Sequence, residues 1–267
     1  TVAGAKIHHN INPSGTLGSG VYISDSTGVV VGGSPTNKNW VYSNEWDGVS
    51  YNGASTGGEV SYNEIYLNGK LGESNSGDAV TGHGTSTGLV IKWNYIHDNL
   101  NTAYAFVGGA AGSIYHNKAV NNGTGGFNTR GAFYSTSTGA FVLRNNIFNL
   151  NLPYEIRVNA TAAAVLDSDY NLYNHSDATA VTLDDGSTDL SAAAYVTANE
   201  ASGVASEPLG VSLKDNGLAI AGTNDRDDLD YYGNYPVGPV DIGEKQTFGA
   251  SGGKRILSIP GRGIGFW

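Results

Sequence analysis

The sequence contains no cysteine and no methionine, and only 14% of its 267 residues are charged. Without cysteine there are no disulfides and there is no thiolate chemistry. A chain that begins at Thr1 and has no methionine is expected to be a processed product or a fragment. The lack of both sulfur residues removes the main sites of oxidation and fits an extracellular location.

The charges that are present are mainly acidic. The formal net charge is −10, which argues against partners that are bound through phosphates, such as nucleic acids. It also disfavours adhesion to an anionic membrane surface. No apolar run approaches the roughly 20 residues of a transmembrane helix. We therefore predict no nucleic-acid partner and no insertion into a membrane.

Small polar residues and aromatic residues make up much of the rest. The chain contains 39 glycines, 16 tyrosines, 7 phenylalanines and 4 tryptophans. Aromatic residues are enriched in strands, and glycine is enriched in turns. This composition predicts a turn-rich β protein.

A short pattern recurs through much of the chain, in which an apolar residue is followed three positions later by asparagine. The pairs are Ile7/Asn10, Val41/Asn44, Val60/Asn63, Ile91/Asn94, Ile114/Asn117 and Val142/Asn145. Ser-Thr-Gly occurs at 26–28, 55–57, 86–88 and 137–139, with Ala-Ala-Gly at 110–112. The spacing varies while the pattern persists, which indicates short strands joined by loops of different length.

Stacked coils of a β-solenoid explain this pattern better than helices, because the apolar runs lack the 3.6-residue period. One coil is predicted to contain strands near 79–83, 89–93 and 95–98, with turns at Ser-Thr-Gly and at Asn94. An amide side chain both donates and accepts hydrogen bonds. Asparagines at equivalent turns are therefore predicted to form a ladder along the stack.

These repeats resemble the right-handed parallel β-helix repeat family, the pectate-lyase-like superfamily. The segments SDYNLYN at 168–174 and PVGPVDIGEKQTF at 236–248 resemble its late elements. The resemblance implies an all-β, single-stranded right-handed parallel β-helix of about six or seven coils with a C-terminal cap. The coils are predicted over 1–175, and a non-repetitive final coil and cap over 176–267.

The resemblance also implies that a substrate lies along the first strand of each coil. Alignment of the coils on the turn glycine predicts one outward row of three residues, which are His83, Val107 and Tyr134. A second row, two residues earlier, contains Thr81, Ala105 and Ala132.

In the next coil, alternation predicts that Glu155 and Arg157 point outward. Consecutive coils are about 4.8 Å apart, so Tyr134 and Arg157 are predicted to be neighbours. We predict Tyr134, Arg157 and Glu155 as catalytic residues. His83, Arg130 and Thr81 are predicted to bind substrate, with Arg130 overhanging the same patch from the preceding loop.

Two reactions are compatible with such a patch. Glycoside hydrolysis usually requires two carboxylates, and the outward row has only Glu155, with Asp78 more distant. β-Elimination of a uronic-acid polymer requires a cation and a base, which favours a lyase if the protein is an enzyme. A face that only binds glycan, and an ordinary polar sheet face, remain alternatives.

One further cluster is a candidate cation site. Asp225, Asp227, Asp228 and Asp230 supply hard oxygen ligands of the kind that Ca²⁺ prefers. The alternative interpretation is a solvated acidic turn, so Ca²⁺ is a candidate cofactor and the metal ligands remain unknown.

Two functions follow. The first is an extracellular protein that binds or degrades a polysaccharide. The second is a non-catalytic structural or adhesive subunit of a phage virion, cell surface or extracellular filament, which assembles through the ends of the solenoid. In the second case a further copy of the chain, or upstream sequence, is expected to cover the N-terminal coil.

Overall fold

The structure is a computed structural model that describes residues 1–11, 18–69, 77–125, 130–169, 171–174, 181–183, 188–190 and 194. Its strands, in chain order, are Lys6–His8 (β1), Val21–Ser24 (β2), Val30–Gly32 (β3), Trp40–Tyr42 (β4), Val49–Asn52 (β5), Glu59–Ser61 (β6), Glu64–Tyr66 (β7), Val80–Gly82 (β8), Leu89–Lys92 (β9), Tyr95–His97 (β10), Tyr104–Phe106 (β11), Gly112–Tyr115 (β12), Lys118–Val120 (β13), Phe133–Ser135 (β14), Phe141–Arg144 (β15), Ile147–Asn149 (β16), Ile156–Val158 (β17), Leu166–Asp169 (β18), Leu172–Asn174 (β19), Val181–Leu183 (β20) and Thr188–Leu190 (β21).

Helix contributes little to the described residues. Pro35–Asn37 forms a 3₁₀ turn and Ala160–Ala163 forms one α-helical turn (α1). Asn159 caps α1 through its side-chain oxygen, which accepts from the Ala162 N–H. No helix in the described ranges is long and apolar enough to cross a membrane.

The described strands form three sheets, and each coil contributes one strand to each sheet. Sheet 1 has the order β2-β5-β8-β11-β14-β17-β20-β21, sheet 2 runs from β3 through β6, β9, β12 and β15 to β18, and sheet 3 has the order β1-β4-β7-β10-β13-β16-β19. All neighbouring strands are parallel except β20 and β21, which are antiparallel. The chain is thus a parallel β-solenoid, as the repeats predicted.

Alternation along each strand places apolar side chains in continuous interior columns. In sheet 2 the buried column contains Val31, Val60, Ile91, Ile114 and Leu143. Aromatic residues fill the interior further along the stack, where the ring centroids of Phe106 and Phe141 lie 4.4 Å apart. Burial of these columns is the main apolar contribution to stability.

Two asparagine ladders run along the described part of the solenoid. The first follows the strands of sheet 2, and its members are Asn39, Asn63, Asn94, Asn117, Asn146 and Asn171. The second follows the strands of sheet 3, and its members are Asn10, Asn44, Asn68, Asn99, Asn122 and Asn151. In both, each Nδ2 donates to the Oδ1 of the next asparagine at 2.8 to 3.1 Å.

The prediction of a ladder is confirmed, but the prediction of a single column is wrong. Asn10 and Asn44 belong to the second ladder, because the spacing of apolar residue and asparagine is the same at both turns. Asn145 belongs to neither ladder, and Asn146 takes the place predicted for it. The cause is the register of β15, where the buried residue is Leu143 and Val142 points outward.

The Ser-Thr-Gly segments form the predicted turns between sheets 1 and 2. Thr27, Thr56 and Thr87 pair as parallel bridges on consecutive coils. Gly88 has a φ of 65°, a left-handed conformation that glycine adopts without steric cost. The buried Ser86 hydroxyl donates to the His83 carbonyl at 2.9 Å, which closes the turn from inside.

The C-terminal predictions are addressed only in part by the described residues. β20 pairs in parallel with β17 and so continues sheet 1 beyond residue 175. The cap, the segment 236–248 and the Asp225–Asp230 cluster lie outside the described residues. The predicted coil number and the division at 175 and 176 therefore stay predictions.

Substitution of a central ladder residue tests the role of the ladder. In Asn117→Ala the free energy of unfolding should fall by about 3 kcal/mol, because several buried polar groups lose their partners. These include the Ile91 carbonyl, which accepts from Asn117 Nδ2, and the Asn94 N–H, which donates to Asn117 Oδ1. Urea unfolding measures the change. The exposed Asn37 provides the control: Asn37→Ala should stay within about 0.5 kcal/mol of wild type. Equal losses in both variants would contradict the role of the ladder.

Candidate functional site

The outer face of sheet 1 carries several of the residues singled out by the sequence. In the central outward row, Thr81 pairs with Ala105, Ala105 with Tyr134, and Tyr134 with Arg157. Tyr134 and Arg157 are both half-buried. The predicted adjacency of these two residues is confirmed, and it brings a phenol and a guanidinium together on one face. We call Arg130, Tyr134 and Arg157 the cationic patch.

Arg130 completes this patch from the segment before β14. Its Cζ lies 4.9 Å from the centroid of the Tyr134 ring, a geometry that supports a cation–π interaction. Its Nη1 also lies 3.5 Å from Asp78 Oδ2. The prediction that Arg130 overhangs Tyr134 is confirmed, and the ion pair with Asp78 is an additional contact.

Two buried carboxylates lie at the start of neighbouring strands of sheet 1. Asp47 and Asp78 occupy equivalent positions one coil apart. The hydrogen bond from the Gly48 N–H to the Asp78 carbonyl shows this register. Asp78 Oδ1 accepts from the Thr102 N–H at 2.9 Å and from the Thr102 hydroxyl at 2.6 Å. Asp47 Oδ1 accepts from the Asp78 N–H at 3.3 Å. Both side chains are held from the adjacent coil.

Burial dominates the electrostatics of this pair. Loss of hydration raises the pKa of both carboxyls, and the charge of Asp78 raises the pKa of Asp47 further. The Arg130 guanidinium lowers the pKa of Asp78 and so offsets part of its shift. Of the two carboxyls, Asp78 is the one that is paired with Arg130.

Thr81 belongs to the same network. Its side chain is fully buried, and its hydroxyl oxygen lies 2.8 Å from Ser50 Oγ and 3.2 Å from Asp47 Oδ2. The hydroxyl is satisfied inside the protein. The predicted contact between Thr81 and a substrate would require these bonds to be exchanged, and it stays a prediction.

His83 lies one position beyond β8 and is half-buried. Burial lowers the pKa of its imidazole, and the nearby Asp78 carboxylate partly offsets this shift. The predicted row is correct for His83 and Val107, since Val107 N–H donates to the Gly82 carbonyl. It is wrong for Tyr134, which pairs with Ala105 two positions away. The turn glycine is not at an equivalent position in every coil, and this shifted the alignment.

Glu155 is the clearest correction. It was predicted to point outward as a catalytic residue, but its side chain is fully buried. Its Oε2 accepts from Asn151 Nδ2 at 2.6 Å, and its Oε1 accepts from the Asn151 N–H at 3.2 Å. Glu155 thus takes the place of the next asparagine in the second ladder. It precedes β17, so the alternation of Ile156, Arg157 and Val158 does not extend back to it.

A signal in the sequence identifies the carboxylates that alignment on glycine missed. Each stands two positions before the first buried residue of a sheet 1 strand, as in Asp47-Gly48-Val49 and Asp78-Ala79-Val80. Thr102 holds the same position in the next coil. The described residues contain no group of three acidic, histidine or cysteine side chains that could hold a metal ion.

The raised pKa of Asp47 predicts how stability depends on pH. Between the unfolded value of about 3.9 and the raised folded value, the folded state binds more protons than the unfolded chain. Stability therefore falls as pH rises through this window, by roughly 1 kcal/mol per pH unit for one carboxyl. Asp47→Asn, which cannot ionise, should flatten the decline. Urea unfolding at a series of pH values from acid to neutral measures this pH dependence of the free energy of unfolding. Asp167 is exposed, so Asp167→Asn serves as the control. Parallel slopes for wild type and Asp47→Asn would contradict the prediction.

Comparison with known proteins found a similar solved structure but no matching family. No family model and no curated protein matches it. It is similar to the crystal structure of pectate lyase Pel9A, with 15% sequence identity and a TM-score of 0.44, over 85% of this chain and 70% of that chain. That structure is also a parallel β-helix, so the likeness concerns the fold alone.

Proposed function

We propose that the protein binds a uronic-acid-containing polysaccharide on the outer face of sheet 1 and cleaves it by β-elimination. The observation that carries the proposal is the cationic patch, in which Arg130 lies 4.9 Å from the Tyr134 ring and Arg157 pairs in register with Tyr134. An extracellular location forms part of the proposal, since such polysaccharides are met outside the cell.

The charge of the patch selects the substrate class. The chain as a whole is acidic, with a net charge of −10, yet two guanidinium groups flank one tyrosine on this face. Guanidinium groups bind carboxylates through paired, charge-assisted hydrogen bonds. The Tyr134 ring adds an aromatic surface and a hydroxyl. A sugar that carries a carboxylate can bind both the guanidinium groups and the Tyr134 ring. A neutral sugar can use only the ring and its hydroxyl.

The proposed roles follow from the order of events in elimination. Arg157 neutralises the uronate carboxylate, which acidifies the proton on the adjacent carbon. This step requires Tyr134 to act as a phenolate. Its oxygen takes that proton, and the electron pair of the broken C–H bond forms the carbon–carbon double bond as the bond to the glycosidic oxygen breaks. The leaving oxygen takes a proton from water. The products are a new reducing end and an unsaturated uronate.

Hydrolysis is less well supported by the described carboxylates. Asp78 is 3% exposed and is engaged by Thr102 and Arg130. Asp47 is 5% exposed and lies three strands of sheet 1 away from Tyr134. Glu155 accepts a hydrogen bond from Asn151 at the end of the second asparagine ladder. All three are buried, so none is exposed to a substrate on the cationic patch as an acid or nucleophile would need to be.

Removal of Arg157 tests the reaction. Wild type should release unsaturated uronate, detected by its ultraviolet absorbance, from polygalacturonate, alginate or a glycosaminoglycan. Arg157→Ala should lower kcat/KM on that substrate by about 100-fold or more, because a preorganised charge is lost. Arg157→Lys should recover only part of this, because lysine lacks the planar pair of donors.

Arg144 provides the matched control. It is a half-buried arginine on sheet 2, where it pairs with Asp167. Arg144→Ala should leave kcat/KM unchanged. Absence of product from all three substrate classes, together with equal glycan binding by wild type and Arg157→Ala, would exclude the proposed function.

The second candidate function is a structural subunit that stacks through the ends of the solenoid. The observation that favours it is the position of β1 and β2, which are the first strands of sheets 3 and 1 in the described part of the chain. A strand at the end of a sheet can pair with a strand of another chain. The proposed partner is a second copy that adds a further coil on this side.

Particle mass in solution tests this candidate. Stacking predicts that the mass measured by light scattering rises with protein concentration, since head-to-tail contacts between copies form open assemblies. Lys6→Pro in β1 should lower the mass. The Ala5 carbonyl accepts from Trp40 of β4, so by alternation the N–H of Lys6 faces the outer edge of the sheet, and proline has no N–H to donate there. A constant monomer mass over the whole concentration range would exclude the structural role.

A further inference from the structure

Asp78 is held more firmly than the arginine it faces. Its Oδ1 accepts both the N–H and the hydroxyl of Thr102 from the next coil, and its side chain is 4% exposed. The Arg130 side chain is 23% exposed, and its cation reaches both Asp78 Oδ2 and the Tyr134 ring. The buried carboxylate is thus a fixed point for a long and partly exposed side chain.

We propose that Asp78 is a positioning residue, which holds the Arg130 guanidinium over Tyr134 so that the cationic patch is formed before the polysaccharide arrives. This inference rests on the proposed function. It assigns Asp78 no contact with substrate and no part in proton transfer, and it makes affinity for uronate depend on a carboxylate below the binding face.

The physical reason is the entropy of arginine. A free arginine samples many rotamers, and fixing it on binding reduces affinity. Asp78 occupies one nitrogen, Nη1, at 3.5 Å. The N–H donors of a guanidinium form a planar fork. One ion pair to Asp78 together with contact to the Tyr134 ring therefore restricts the orientation in which the cation is presented.

The charged and titratable groups around Asp78 define the expected pH dependence. They are Arg130, Asp47 on the preceding coil, and His83 beyond β8. As pH falls through the raised pKa of Asp78, the carboxyl becomes neutral and attracts Arg130 less strongly. Affinity for uronate should then fall with pH. Burial lowers the pKa of His83, so this histidine gains its charge at a lower pH than an ordinary histidine does.

The first measurement needs no polysaccharide. In the NMR spectrum of the wild-type protein, the Arg130 Nε–H and the Tyr134 ring should shift together as Asp78 titrates. Asp78→Asn keeps an oxygen that can accept from Thr102 but lacks the charge, and it should abolish that shift. Asp167→Asn removes a carboxylate that pairs with Arg144 on sheet 2, and it should leave the shift unchanged.

The second measurement is binding of oligogalacturonate, oligomannuronate and chondroitin oligosaccharides by calorimetry. Asp78→Asn should weaken binding by on the order of tenfold and remove its pH dependence. The loss should vanish in an Arg130→Ala background, since the two residues act as one unit. If Asp78→Asn fails to fold, Thr102→Val serves instead, because it removes the hydroxyl that orients the Asp78 carboxylate.

The outcomes separate the inference from the proposed function. If wild type binds none of the oligosaccharides, the proposed function fails, while the NMR measurement still decides whether Asp78 holds Arg130. If the chemical shifts of the Arg130 Nε–H and the Tyr134 ring do not change as Asp78 titrates, the inference fails. Tighter binding by Asp78→Asn would also overturn it, because the carboxylate would then compete with the glycan for Arg130.

Discussion

The amide-to-amide hydrogen bond between consecutive coils is the constraint on which the rest of the molecule depends. Each asparagine donates to the next asparagine and accepts from the one before it, so every coil must return to the same position regardless of the loop it has made. Only a side chain with both a donor and an acceptor can continue such a column. Glu155 illustrates this requirement. Its oxygens accept from Asn151, but a carboxylate has no N–H to donate to a further coil, and the second ladder ends at Glu155 in the described residues.

Fixed register has a chemical consequence on the outer face of sheet 1. Residues far apart in sequence, such as Tyr134 and Arg157, become neighbours at the spacing of paired strands. The same register stacks Asp47 under Asp78, where burial raises the pKa of both carboxyls and the charge of Asp78 raises the pKa of Asp47 further. Arg130 connects the two groups, since it contacts Asp78 on one side and Tyr134 on the other. A buried acidic network and a partly exposed cationic patch thus share one arginine.

Prediction from the sequence succeeded where the repeat is strict and failed where turns vary. The strands near 79–83, 89–93 and 95–98 correspond to β8, β9 and β10, because alternation within a short strand is a local property. The pairing of Tyr134 with Arg157 was also predictable, since both lie at the centre of sheet 1 strands. Alignment on the turn glycine misplaced Tyr134 relative to His83, because the turn between sheets 1 and 2 differs in length from coil to coil. Asp47 was missed for a related reason, as it lies before its strand begins.

The sequence alone determined the solenoid, its three strands per coil and the use of asparagine at the turns, because these depend on a repeated pattern of side chains and on local turn chemistry. The tertiary structure alone decided that there are two ladders, that Asn146 and not Asn145 is a member, and that Glu155 is buried. It also decided that Asp78 meets Arg130. The physical reason is that a residue adjacent to a turn can face either the interior or the solvent, and only the hydrogen bonds made by the neighbouring coils select between them.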